Sequence, residues 1–254
     1  MEEHLHGILH VKERMPRPLG NVIGSFKAAC TSAYRKAFPD QQSVPLFSPG
    51  FQDTILSGRG QLKRMIQYLR DNPRRAAIKR LFPDFFRLLR TIPFQGGFFT
   101  GMGNALLLDA PMFHQIQASR QISEAEFRQK LQEMVSASER GAVVVSPCIS
   151  SSERRLARMA FERECPLIVL KNKGFPSLYK PPGAYFDACA AGRLLMLAPG
   201  KWPYTPGKKP MTRIDACTLN FLAQQICGED AAEINYAGST PQNISEWVEK
   251  AMKG

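Results

Sequence analysis

The sequence predicts two architectures in series: an α+β segment over the first third, then an α/β domain with a mainly parallel sheet. Three observations lead there. After about residue 95, short continuous apolar runs alternate with amphipathic helical stretches, the pattern of strands covered on both faces. Before that point, one alternating segment precedes two long basic helical stretches. Between them lies "TIPFQGGFFTGMGN", rich in glycine and aromatic residues. The divisions expected are 1–94, 95–202 and a helical tail over 203–254.

Taken in order, the alternation in "HLHGILHV" predicts a strand over about 4–12, with His4, His6 and His10 on one face. "LGNVIGSFKAACTSAYRKAF" reads as a helix over about 18–37, and "PDQQSVPLFSPG" as a loop. "FQDTILS" reads as a short strand. "GRGQLKRMIQYLRDN" is a helix with Leu62, Met65, Ile66 and Leu69 on its apolar stripe and Tyr68 beside it. Pro73 should end it, because the residue before proline avoids the helical region.

In the second part, "ALLLDAP" and "MFHQIQAS" read as strands. "SEAEFRQKLQEMVSASER" is a helix capped by Ser123, with Glu126 completing a capping box. "GAVVVSP", "CPLIVLK" and "RLLMLAP" are strands, separated by helices in "SSERRLARMAFERE" and "YFDACAAG". "MTRIDACTLNFLAQQIC" and "NISEWVEKAMK" are helical.

The 254 residues are 44% hydrophobic, with no run long enough to span a bilayer and no signal-peptide pattern. Cys30, Cys148, Cys165, Cys189, Cys217 and Cys227 show no C-x-x-C spacing and read as reduced thiols, so a cytoplasmic protein is expected. The formal net charge is +12, which favours a polyanionic partner. Residues 1–95 hold 16 basic against 7 acidic side chains, and residues 96–254 hold 18 against 15. The first third is therefore the expected nucleic-acid contact.

Two imidazoles at i and i+2 on one strand face make a two-toothed metal clamp, although chance or a charged sheet edge gives the same string. "HLH", "LGNVIGSFKAACTSAYRK", "LFSPGFQDTIL" and "QLKRMIQYLRDNP" stand in one order over about residues 1–80. That order resembles the REP-associated tyrosine transposases, relatives of the HUH single-strand transposases. "MEEHLH" stands where the family has Met-Pro-Asn/Asp-His-x-His, and "YLRDNP" where it has Tyr-Ile-x-x-Asn-Pro.

The resemblance implies an HUH-type antiparallel sheet with helices, and Tyr68 as a nucleophile that forms a 5′-phosphotyrosine. It implies a divalent ion, Mg²⁺ or Mn²⁺, held by His4, His6 and Asn72 to polarise the phosphate. Single-stranded or hairpin DNA and a second copy of the chain are the implied partners. Lys27, Arg35, Lys63, Arg64, Arg70, Arg74 and Arg75 are the expected DNA contacts. The family has several tens of residues ahead of the histidine pair. The resemblance therefore predicts a truncated domain with impaired catalysis. Without it, Tyr68 is a half-buried helix tyrosine, Asn72-Pro73 a helix end, and the cations a solvated face.

Residues 96–200 resemble, less closely, the Rossmann-like nucleotide-fold core of the DNA-processing protein A family. "SPCISSSE" stands at that family's Ser-Gly-x-Ala-x-Gly turn, and "NKGFPSLYKPPG" at its Gly-x-x-x-x-Tyr-Pro segment. Ser146, Ser150, Ser151 and Ser152 are candidate anion ligands there, against a plain reading in which Ser152 caps a helix starting near Glu153. Lys171, Lys173, Tyr179 and Lys180 are candidate contacts for single-stranded DNA. The alternative function is a non-catalytic α/β DNA- or nucleotide-binding protein with a vestigial transposase segment.

Overall fold

A computed structural model describes residues 5–41, 45–207, 209–228 and 240–253. The chain divides into two compact units, Met1–Ala76 and Ala77–Gly254. In the first, α1 spans Leu19–Ala37 and α2 begins at Gln61 and runs to Leu81. Neither helix has a buried residue. Residues 5–12 form no strand, and nor do residues 51–57. Both expected strands lack a ladder partner among the described residues, so Leu5, Leu9, Val11 and Ile55 stay exposed.

Pro73 does not end α2 but sits inside it. A proline there removes one backbone bond. Asp71 spans the gap: its carboxylate accepts from Arg74 Nε at 2.6 Å and Arg75 Nε at 2.7 Å, ion pairs that cross the proline at i,i+3 and i,i+4.

The second unit is built on a six-stranded sheet in the order β1-β2-β6-β5-β4-β3. The strands are β1 Leu89–Phe94, β2 Gly97–Gly103, β3 Phe113–Gln115, β4 Val143–Ser146, β5 Leu167–Leu170 and β6 Leu194–Pro199. β3 to β6 are parallel, while β1 and β2 add antiparallel to β6. β1 thus lies in this sheet, ahead of the compositional change at residue 95. α3 Glu124–Glu139, α4 Ser151–Glu162 and α5 Gly183–Ala190 connect β3, β4, β5 and β6.

Because the parallel strands step one way across the sheet, right-handed crossovers put all three helices on one face. The core agrees. Phe127 and Met134 of α3, Leu156 and Ala160 of α4, and Cys189 of α5 share one cluster with Val144, Val169 and Met196. Leu219, Leu222 and Ile226 of α6 (Arg213–Cys227), with Met252 of α7 (Pro241–Met252), share the opposite one with Val145, Ile168 and Leu197. The helical tail therefore closes the second face.

"ALLLDAP" is a 3₁₀ turn over Ala105–Asp109 instead of a strand. Asn104 redirects the chain: its Oδ1 accepts from Leu106 N at 3.1 Å and its Nδ2 donates to Gly192 O at 2.8 Å. Just before it, Gly103 has φ +120 and lies so close to the Leu194 carbonyl that no Cβ fits. Ser123 and Glu126 form the expected capping box of α3. α4 is capped by Ser150, two residues ahead of the expected Ser152, because Ser150 is the residue whose Oγ reaches the N3 amide, that of Glu153. All six cysteines are thiols. No helix among the described residues is long and apolar enough to cross a membrane.

Candidate nucleic-acid interface

The loops leaving the carboxyl ends of β4, β5 and β6 meet at one edge of the α/β unit, the edge where open parallel sheets bind ligands. After β4 the chain turns through Cys148 at φ +51, a left-handed value uncommon outside glycine. Cys148 N donates to Ser146 Oγ at 3.2 Å, and Sγ lies 3.3 Å from the same oxygen. Glu153, only 3% exposed, then fills the amino end of α4. Its Oε2 accepts from Ile149 N at 2.7 Å and Ser150 N at 3.1 Å, and its Oε1 from Ala118 N at 3.3 Å. Those amides are where an external anion would dock, and an internal carboxylate already holds them.

Two longer loops, 171–183 after β5 and 200–214 after β6, are stitched together by reciprocal lysines. Lys173 Nζ donates to Thr205 O at 3.0 Å and to Gly207 O. Lys209 Nζ reaches back to Asn172 O at 2.9 Å and pairs with Asp215 Oδ1 at 2.9 Å. Asp215 is buried and also completes the α6 capping box with Thr212. Gly174 N donates to Pro203 O at 3.1 Å, and a Cβ on Gly174 would sit 2.5 Å from Trp202 O. Only glycine lets the two backbones approach this closely.

Three lysines of these loops lie over rings of the same loops: Lys173 over Tyr204 at 5.5 Å, Lys209 over Trp202 at 4.8 Å, and Lys171 over Tyr179 at 5.1 Å and Phe175 at 5.5 Å. Together the loops contain seven Lys or Arg residues, four aromatics and no Asp or Glu. Burial, with Lys173 nearby, lowers the pKa of Lys171 below the usual lysine range. Burial pushes the Cys148 thiol up to about 11 and the Tyr179 phenol up to about 12, so both stay protonated at neutral pH.

The residues expected from sequence fall elsewhere. Tyr68 is exposed on α2, and its ring meets that of His6 edge-on with centroids 6.3 Å apart. Asn72, half-buried, follows one turn later on the same helix, which the continuation through Pro73 allows. His4 lies outside the described residues. Among those described, no three His, Cys, Asp or Glu side chains gather as a metal site.

Lys27 donates to Ser48 O at 2.9 Å and to Gly50 O, and Arg74 and Arg75 hold Asp71, so these three brace their own unit. Arg35, Lys63, Arg64 and Arg70 are exposed. Ser150 is a buried helix cap and Ser151 is exposed, with Ser152 half-buried behind it. Sequence reasoning missed Trp202, Tyr204, Lys209 and Glu153. The signal was present in "GKWPYTPGKKP", where rings and lysines alternate with prolines and no carboxylate intervenes.

No protein-family model matches the chain, and no curated protein does. The transposase resemblance of the first 80 residues thus rests on its ordered blocks. Among solved structures, DNA processing protein A from Streptococcus pneumoniae is similar at 16% identity, over 79% of this chain and 70% of that one, with a TM-score of 0.41.

Proposed function

We propose that this chain is a DNA-binding protein whose α/β unit carries single-stranded DNA across loops 171–183 and 200–214. One observation supports this above others: two loops stitched together at the carboxyl edge of a parallel sheet contain in sequence seven Lys or Arg, four aromatic residues and no Asp or Glu. Cations release counterions from a phosphate backbone, and exposed rings give bases a stacking surface that tolerates any sequence. Tyr204 is 44% exposed and offers such a surface, while Lys180 and Lys201 are exposed on the same loops. Titrating a labelled oligonucleotide by fluorescence anisotropy tests the reading. Affinity should fall steeply with salt, and Tyr204→Ala should weaken it at least about fivefold, the lower end of what loss of one stacked base costs. Salt-independent binding, or no effect of Tyr204→Ala together with Trp202→Ala, removes the proposal.

A second reading is kept because His6 and Tyr68, distant in sequence, have neighbouring rings. Here the first unit cleaves single-stranded DNA: the Tyr68 hydroxyl attacks a phosphodiester, a phosphotyrosine forms, and the strand leaves with a 3′-hydroxyl. His4, His6 and Asn72 would hold the divalent ion, which supplies charge neutralisation at the phosphate when bound. Incubation with hairpin DNA and Mn²⁺ should give an adduct that survives denaturing electrophoresis and is lost in Tyr68→Phe. An adduct retained in Tyr68→Phe excludes this reading and leaves the DNA-binding proposal standing.

A further inference from the structure

Lys171 differs from the other lysines of the two loops. Lys173 is held by two carbonyls, and Lys209 by a carbonyl and the Asp215 carboxylate. The Lys171 ammonium has three protons to donate, yet among the described residues its one hydrogen bond is a long one, 3.4 Å to the Tyr179 hydroxyl, and it forms no ion pair with them. It follows β5 with the parity of Val169, which places its side chain on the α3–α5 face of the sheet, just beyond the row Ser146–Val169–Met196. Phe175 and Tyr179 wall it in, and Tyr179 Oη in turn donates to Met196 Sδ at 3.6 Å.

Among the described residues the surroundings contain neutral donors, and no ion pair to Lys171 is formed. Ser146 is fully buried, and its oxygen already accepts from Cys148 N, so its proton is available to Cys148 Sγ. The nearest carboxylate on the neighbouring helix, Glu153, is held by three backbone amides. The partners of Lys171 are two ring faces and a neutral hydroxyl; a largely desolvated cation without an anionic partner is costly, and an anion entering beside it lowers that cost. Lys171, Cys148 and Tyr179 all keep partial exposure, so the recess opens to solvent.

We infer that the recess around Lys171 is a subsite for a terminal phosphate monoester, the phosphorylated end of a single strand lying on loops 171–183 and 200–214. This rests on the DNA-binding reading and narrows it. A phosphodiester inside a strand carries one charge and continues on both sides, so the ring walls keep it away from the ammonium. A terminal phosphate enters end-on and brings close to two charges and three acceptor oxygens. The Lys171 ammonium and the Tyr179 hydroxyl are the groups that meet it. A free nucleoside monophosphate offers the same chemistry, but without neighbouring bases to stack on Tyr204 and Trp202 it binds more weakly.

The test compares internally labelled oligonucleotides of one sequence, bearing a 5′-phosphate, a 3′-phosphate or hydroxyls at both ends, on the full chain. One phosphorylated form should bind at least about tenfold tighter than the hydroxyl-ended strand, as expected for a charge-assisted hydrogen bond. Lys171→Met should erase the difference, so that in the variant the phosphorylated and hydroxyl-ended strands bind within about twofold of one another, whatever the variant does to binding as a whole. The three-strand comparison on the unaltered chain decides the matter even if Lys171→Met does not fold. Equal affinity for all three strands overturns the subsite and leaves DNA binding intact. No binding to any strand overturns both. Thymidine 5′-monophosphate competing as strongly as the phosphorylated strand overturns the strand-end assignment.

Discussion

Helices α1 and α2 of the first unit and α3 to α6 of the second carry the same kind of amphipathic repeat, yet their fates differ. No described residue ahead of Ile92 is buried, and Val22, Phe26, Leu62 and Ile66 stand exposed on α1 and α2. Phe127, Met134, Leu156 and Leu219, at equivalent places on α3, α4 and α6, are at or below 4% exposure against the sheet. A helical period shows where an apolar stripe lies. Whether the stripe stabilises anything depends on a face to bury it against, since most helix stability in proteins comes from packing.

The largest effect expected from this contrast lies in hydrogen exchange. Amides of β4, β5 and β6 should exchange only through global unfolding, while those of α1 and the first turns of α2 open locally, at least about a hundredfold faster. Equal protection in the two units would break the comparison.

Paired glycine substitutions sharpen it. Gly103→Ala places a Cβ against the Leu194 backbone at φ +120 and should cost at least about 3 kcal/mol in denaturant midpoint experiments. Gly24→Ala lies inside α1 with open space around it and should stabilise that helix by up to about 1 kcal/mol. It should leave the transition of the α/β unit where it was. A Gly103→Ala protein with an unchanged midpoint would mean that the β2–β6 approach is not rigid.

These cases also show what was legible beforehand. β4, β5 and β6 were readable because four or more consecutive apolar residues have no other use than burial on both faces, and Ser123 with Glu126 marked α3 by local chemistry alone. The failures share a cause. "HLHGILHV" and "FQDTILS" have strand patterns, but a strand exists only through a neighbour that the pattern does not contain. "ALLLDAP" was overruled by one asparagine whose partner, Gly192, is far along the chain. Loop 171–183 reads in sequence as basic and aromatic, but most of 200–214 falls in the expected helical tail, and the meeting of the two depends on the order of β5 and β6. Glu153 reads in sequence only as the start of a helix, and its third contact, Ala118, comes from the loop after β3.

Glu153→Gln addresses that contact. The carboxylate accepts three amide bonds in a buried setting, and an amide side chain turns one acceptor into a donor facing N–H groups. A loss of about 2 kcal/mol is expected by thermal or chemical unfolding. A neutral outcome would indicate that water takes over the Ala118 and Ile149 amides and that the turn is more open than its hydrogen bonds suggest.

The smallest effect is expected from the ion pairs of the first unit. Asp71→Asn breaks contacts with Arg74 and Arg75 across Pro73, but Arg74 is half exposed and Asp71 a quarter exposed, so solvent screens the interaction. About 0.5 kcal/mol is the expected loss, seen as fraying of α2 by circular dichroism and not in the main unfolding transition. The pH dependence follows from the same geometry. The Arg74 hydrogen bond, then that of Arg75, holds the Asp71 carboxyl below the usual carboxylate range. A depressed carboxyl contributes its stability above its ordinary pKa and loses it as pH falls through the lowered value. Helicity of α2 should therefore persist through mildly acidic pH and decline only below the usual carboxylate range, with Asp71→Asn abolishing that decline. In Asp215→Asn the amide no longer pairs with Lys209 at the amino end of α6, and the loss should appear in the main transition instead, because that carboxylate is buried in the unit that has a core.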